Sequence, residues 1–208
     1  MARIVWRRPE ESPRSGDWMQ VELVERAQAG DHEAFSDLAR GSFARLFGAA
    51  RLILRDEDRA QDAVQDALVL AWKHVRALRD PEAWDAWLYR LTVRACYRLA
   101  RSARRRDVVE LHVEPERPSE PAGQDQDFTG VLVERDRMGR ELGRLPVDQR
   151  AVMVLHFYLD LPLTDVADIL DVPVGTAKSR LHRGLGALRS ALSAEAAAAA
   201  RDVRERSA

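Results

Sequence analysis

With 208 residues, 46% of them apolar and 32% charged, the chain has the composition of a globular protein able to bury a core, and not that of a disordered one. Its longest unbroken apolar run, Ala67–Trp72, is too short for a membrane span and no charged-then-apolar signal segment opens the sequence, so a cytoplasmic protein without membrane insertion is expected. The net charge of −1 names no partner until it is resolved by segment, and the lone Cys96 excludes a disulfide framework within the chain and reads as a small apolar side chain on a helix.

Residues 1–17, rich in Arg, Pro, Glu and Ser without an apolar period, read as a tail. A first helix is predicted over 18–29, stopped by Gly30 as a left-handed C-terminal cap. Asp31 opens a second helix that runs to Leu54, with Phe35, Leu38, Leu46, Ala50 and Ile53 along one face. The third covers 56–75, with Val64, Leu68, Ala71, Trp72 and Val75 at three- and four-residue steps and its acids crowded into the first turns, where the helix dipole favours them. A short polar loop, Arg76–Asp80, leads to Pro81 at the first position of a fourth helix, which continues to Arg106 with Trp84, Trp87, Leu88, Leu91 and Ala95 inward.

Residues 107–130 change character. They hold Pro115, Pro118, Pro121 and Gly123 among acids, the mark of a linker. Four further helices are predicted at 131–143, 146–159, 163–170 and 174–192, leaving 193–208 as an Ala-rich, charged extension. The fold class is therefore all-α: an N-terminal helical bundle over 18–106 and a C-terminal helix-turn-helix unit over 131–192, joined by an acidic flexible linker.

Charge is segregated along this plan. Residues 81–106 carry seven Arg against Glu82 and Asp85, and residues 173–192 carry Lys178, Arg180, Arg183 and Arg189 with no acid. Residues 107–128 hold seven acids against Arg117 alone, and 56–75 hold five against Arg59 and Lys73. Two basic helices separated by acid suit two polyanion contacts and a cationic protein partner, although solvated helix faces account for the same pattern.

The sharpest local pattern is Leu163 through Arg183. Thr164 can cap a short helix whose inner face is Val166, Ala167 and Leu170, with Ala167 small where two helices cross. Asp171-Val172-Pro173 makes the turn, and a second helix begins with Val174, Ala177 and Leu181 inward. This is a helix-turn-helix pattern, whose second helix enters the DNA major groove by its N-terminal part. Thr176, Lys178, Ser179, His182 and Arg183 are then exposed to phosphates or base edges.

Pro173-Val-Gly-Thr-Ala-Lys-Ser-Arg-Leu-His-Arg183 resembles the promoter −35-reading helix of extracytoplasmic-function (ECF) sigma factors of RNA polymerase, and Leu145–Leu155 is similar to the helix before it in that family. Gln61–Trp72 resembles the segment by which such factors clamp the polymerase core. Pro81–Arg98 resembles the −10 recognition and melting segment, and Gly30-Asp-His-Glu-Ala-Phe35 the opening of the first helix. The five stretches fall in family order over about residues 19–106 and 131–192.

The resemblance implies roles by position. Thr176, Lys178, Ser179, Arg180, His182 and Arg183 are the expected −35 contacts. Arg76, Leu78, Arg79 and Asp80 form the expected −10 pocket, with Arg90, Arg94 and Arg98 tracking the strand. Melting needs a surface that holds unpaired bases, and aromatic stacking contributes roughly 1–3 kcal/mol per base. Trp87 is a candidate for this; for both Trp84 and Trp87, core packing and base contact stay open. Asp62, Gln65 and Asp66, opposite the Val64-Leu68-Trp72 stripe, are the expected core-polymerase contacts, or else a solvated acidic face. Arg104, Arg105 and Arg106 suit phosphate contacts or helix-end charge. The implied partners are RNA polymerase core (its clamp and flap regions), promoter DNA and an anti-sigma factor.

Four departures stand out. Asp171 replaces the usual turn Gly, Gln61 replaces an acid and Leu68 replaces a Phe in the clamp segment. Gly184 and Gly186 fall within the recognition helix, each at a cost of about 1 kcal/mol relative to Ala.

A linker of 24 residues reaches at most about 80 Å extended and about 27 Å as a coil, enough to place two domains on elements a turn or two of DNA apart. The rival readings are a stand-alone helix-turn-helix regulator, which normally dimerises on a palindrome, and a helical adaptor that binds protein alone. No HExxH, GxSxG, Walker-type loop or paired Cys is present, and His32, His74, His112, His156 and His182 form no motif. No catalytic residue, cofactor or metal is expected.

Overall fold

The computed structural model describes residues 17–109 and 141–206. Residues 1–16 of the expected tail, the linker beyond 109 and residues 131–140 of the fifth expected helix lie outside the described residues, and so does His112; Asp17, the last residue of that tail, begins the first helix instead. Among the described residues every regular element is helical: α1 (Asp17–Gln28), α2 (His32–Leu54), α3 (Glu57–His74), α4 (Trp84–Val109), α5 (Val147–Met153), α6 (Leu163–Leu170) and α7 (Val174–Arg206). Short 3-10 turns at Val75–Ala77 and Pro81–Ala83 precede α4, residues 141–144 are helical, and a π-turn at Val154–Tyr158 closes α5. Contacts divide the chain into two compact units, Met1–Arg51 with Asp56–Cys96, and Leu52–Arg55 with Tyr97–Ala208.

In the first unit, α1 ends as the sequence requires. Gly30 sits at φ +101°, its N–H donates to Ala27 O at 3.0 Å and the next N–H, of Asp31, donates to Arg26 O at 3.0 Å. This pair of bonds satisfies the last carbonyls of the helix. Asp31 then starts α2, its carboxylate accepting from the backbone N–H groups of Glu33 (2.9 Å) and Ala34 (3.1 Å). The Ala34 N–H and the Arg26 guanidinium hold the Asp31 carboxyl below its ordinary range. Asp56 caps α3 likewise, accepting from Arg59 N–H at 2.9 Å.

The core of this unit takes Leu38, Leu46 and Ala50 from α2, Ala60, Ala63, Val64, Ala67 and Ala71 from α3, and Trp84 and Leu88 from α4. Phe35 and Trp72, expected inward, are half-buried and meet edge to face at 4.9 Å. Trp84 is fully buried, its indole N–H donating to Ser42 Oγ at 3.4 Å, which assigns it to packing. The expected fourth helix begins three residues later than Pro81, because Pro81 opens a separate 3-10 turn, and it runs on through Val109.

In the second unit α5 presents Val152, the π-turn Leu155, α6 Val166, Ala167 and Ile169, and α7 Ala177, all buried. Leu145, Met153 and Leu188 form a second cluster with Leu142, Leu181 and Leu185. Three expectations are corrected here. Thr164 does not cap α6: Pro162 occupies the cap position without a side-chain bond, and Thr164 Oγ1 donates to Asp165 at 3.2 Å. Ile169, three residues after Val166, fills the place assigned to Leu170, which is half-buried. Val174 is exposed, since helical side chains lean toward the N-terminus and its own leans off the end of α7.

Gly184 has a packing reason. A Cβ there would lie 2.7 Å from Met153 Sδ, so the small residue lets α7 approach α5. At Gly186 a Cβ would meet nothing within 4 Å. The expected extension after residue 192 continues as part of α7 to Arg206.

Candidate nucleic-acid interface

The turn between α6 and α7 repeats the ending of α1 with a different residue. Asp171 sits at φ 56°, ψ 50°, its N–H donates to Asp168 O at 3.3 Å, and Val172 N–H donates to Ala167 O at 3.0 Å. A short polar side chain tolerates the left-handed conformation better than most, so the turn forms where Gly was expected. Thr176 and Ala177 N–H groups donate to Pro173 O at 2.8 and 3.1 Å, which winds the first turn of α7.

On that first stretch Lys178, Ser179, His182 and Arg183 are exposed. Ser179 Oγ donates to Thr176 O at 2.9 Å and Arg183 Nη2 donates to Ser179 Oγ at 3.1 Å. Two expected contacts are placed differently. Thr176 is half-buried rather than exposed, and Arg180 turns toward α5, with Nη2 3.2 Å from Asp148 Oδ2. Behind this face the π-turn leaves Phe157 and Tyr158 exposed, while His156 Nδ1 donates to Leu161 O at 2.7 Å.

The expected −10 loop is held by groups far away in sequence. Gln28 of α1 donates its amide hydrogens to Val75 O at 3.2 Å and Leu78 O at 2.7 Å. Arg76 and Arg79 are exposed and Leu78 is half-buried. The Asp80 carboxylate accepts from Glu82 N–H at 3.1 Å, so Asp80 closes the loop as the cap of the following 3-10 turn. Trp87 is half-buried, its ring 5.7 Å from that of Trp84. Along α4 Arg90 is half-buried, and Arg94 and Arg98 are exposed. The side chains of Arg104, Arg105 and Arg106 lie outside the described residues.

Asp62, Gln65 and Asp66 are exposed on α3, opposite its buried alanines and Val64. Val69 stands on the same face at helical spacing and is 46% exposed. Sequence reasoning passed over it because it lies inside the apolar run Ala67–Trp72; its spacing from Asp62 and Asp66 was the available signal. Gln28 was also missed, and no local pattern marks it.

The described residues hold no group of His, Cys, Asp and Glu that could bind a metal. Cys96 is buried, and burial pushes its thiol up to about 12, so it stays protonated at neutral pH. No helix among the described residues is long and apolar enough to cross a membrane.

The family model of Sigma-70 region 2 matches residues 29–106, and that of Sigma-70 region 4 matches residues 135–188. Among curated proteins, the ECF RNA polymerase sigma factor SigM of Mycobacterium tuberculosis is 34% identical over 163 residues, 78% of this chain and 79% of that protein. The ECF RNA polymerase sigma factor SigW of Bacillus subtilis is 27% identical, covering 85% of this chain and 98% of that protein. Among solved structures, that of CnrH in complex with the cytosolic domain of CnrY is similar at a TM-score of 0.60 and 25% identity, over 84% of this chain and 97% of that one.

Proposed function

From the premise that the chain belongs to the ECF RNA polymerase sigma factors, directing the polymerase to promoters, we propose how its residues divide that task. The helix-turn-helix segment expected over 131–192 reads the −35 element through Lys178, Ser179, His182 and Arg183. The observation that carries this is the placement of these four exposed side chains on the first turns of α7, behind a formed helix-turn-helix turn and on a stretch without acids. Arg183, already bonded to Ser179, suits a phosphate; Lys178, Ser179 and His182 suit base edges. Thr176 and Arg180 serve the face from its margin, with Arg180 released from Asp148 only when a phosphate competes for it.

The N-terminal bundle expected over 18–106 carries the −10 reading. Arg76, Leu78 and Arg79 line the pocket for an unpaired base, Asp80 fixes the pocket's end, and Arg90, Arg94 and Arg98 follow the strand. The free part of Trp87 supplies a stacking surface. Asp62, Gln65 and Asp66 pair with cations of the core polymerase clamp, and exposed Val69 adds an apolar contact at the same face. Phe157 and Tyr158 suit the flap. The expected linker, 107–130 in sequence, whose first three residues end α4, acts as the tether.

The chain acts in the cytoplasm without catalysis of its own, under a protein regulator of the anti-sigma kind; the complex of the similar CnrH with the cytosolic domain of CnrY supports a protein partner for a chain of this fold. Binding to promoter DNA with and without core polymerase separates this reading from a stand-alone regulator. The free chain should bind weakly and with little sequence preference, and core should confer specificity through effective concentration of two weak contacts. Tight, specific binding by the free chain would overturn it.

A further inference from the structure

Helix α1 precedes the residues matched by the Sigma-70 region 2 family, yet it touches both sides of the Arg76–Asp80 loop. At its C-terminal end the Gln28 amide donates to Val75 O and Leu78 O, the two carbonyls that flank the loop's 3-10 turn. Toward its N-terminal end Gln20 Nε2 donates to Asp85 Oδ1 at 3.2 Å, in the first turn of α4 where the chain leaves the loop; Arg45 Nη2 lies 3.5 Å from the same carboxylate. Immediately after α1, Gly30 leaves room for the Arg76 guanidinium, whose Nη2 would lie 3.2 Å from a Cβ at that position. Around the loop Leu78 N–H donates to Val75 O and Ala83 N–H to Asp80 O, both at 3.1 Å, and the Asp80 carboxylate caps the next turn; all of these bonds are local in sequence. Gln28 supplies what these lack, a fixed distance between the loop's backbone and the body of the unit.

We propose that Gln28 is a positioning residue for −10 recognition: by holding the carbonyls of Val75 and Leu78 it sets the loop that presents Arg76, Leu78 and Arg79 to an unpaired base. A preformed pocket offsets the cost of extruding a base only if its walls are already in place, because a pocket that must first be ordered loses that advantage. Gln28 itself touches no DNA in this account. The inference rests on the reading of Arg76–Asp80 as the −10 loop.

The test uses the full chain carrying Gln28→Met or Gln28→Glu, each close to Gln in size and without its two donors, reconstituted with core polymerase. Initiation is measured on promoters bearing single −10 or −35 substitutions, and amide exchange is measured on the free chain. Both variants should lose about tenfold in discrimination between −10 bases, with core affinity and −35 preference unchanged, and exchange should accelerate at Ala77 and Leu78 but not in α2 or α3. Retained −10 discrimination overturns the proposal even if exchange accelerates. Loss of core binding also overturns it, since the effect is claimed for the loop alone. Leu78→Ala and Arg79→Ala serve as the reference: if they flatten −10 discrimination and the Gln28 variants do not, the loop reading stands and the positioning role falls. If neither set does, the loop reading itself falls.

Discussion

At the start of α7, Lys178, Ser179, His182 and Arg183 share one helix, and helical period alone brings them to one face. The loop Arg76–Asp80 has no such scaffold; its backbone is tied to Gln28, 47 and 50 residues away from its two acceptors in sequence. A helix-borne surface tolerates exchange of its side chains one at a time, because its backbone bonds lie within the element. A surface borne on a loop depends on residues that never reach the ligand. The same contrast separates the two left-handed turns: Gly30 and Asp171 close equivalent hydrogen-bonded motifs, one with a residue that adopts the conformation freely and one with a residue that tolerates it.

The largest effect should come from the third surface, on α3, which is helix-borne like the proposed −35 face. Asp62→Arg combined with Asp66→Arg should lower affinity for core polymerase about 100-fold or more by turning attraction into repulsion, with helical content unchanged. Co-purification with core at the parental level would remove the clamp assignment. Next, Lys178→Ala, Ser179→Ala and His182→Ala should each change preference at a single −35 base by about 1–3 kcal/mol. Arg183→Ala should instead weaken binding across sequences and lower the salt slope by about 1. Equal, sequence-blind losses from all four would break the division between base and phosphate contacts.

The smallest effect concerns Gly184 and Gly186, within α7. Gly186→Ala, at an open position, should stabilise the chain by about 0.5–1 kcal/mol through helix propensity. Gly184→Ala should give no such gain, because its Cβ would press on buried Met153. Thermal melting of the two variants decides this, and equal stabilisation would mean that Met153 yields at no cost.

Legibility in the sequence follows the range of the interactions. The helices, the Gly30 stop, the Asp31 start of α2 and outward Lys178, Ser179, His182 and Arg183 rest on contacts within a few residues, and periodicity and capping chemistry expose them. Ile169 taking the place of Leu170, and Val174 turning outward, were not legible because period allows neighbouring positions to exchange roles at helix ends. Gly184 looked like a cost in the sequence and proves to be a close approach, since the Met153 that explains it lies 31 positions earlier. Gln28, Arg180 with Asp148, and exposed Val69 depend on which elements meet, and no local pattern carries that information.

Mapping the RNA start sites made by purified core polymerase on a pool of promoter fragments, with and without the chain, shows whether the chain redirects initiation. Added chain should move synthesis to a shared set of start sites, each preceded by two separated sequence elements, with α7 variants altering the upstream element and loop variants the downstream one. Start sites that do not change when the chain is added, or that change without reference to either element, would contradict that role.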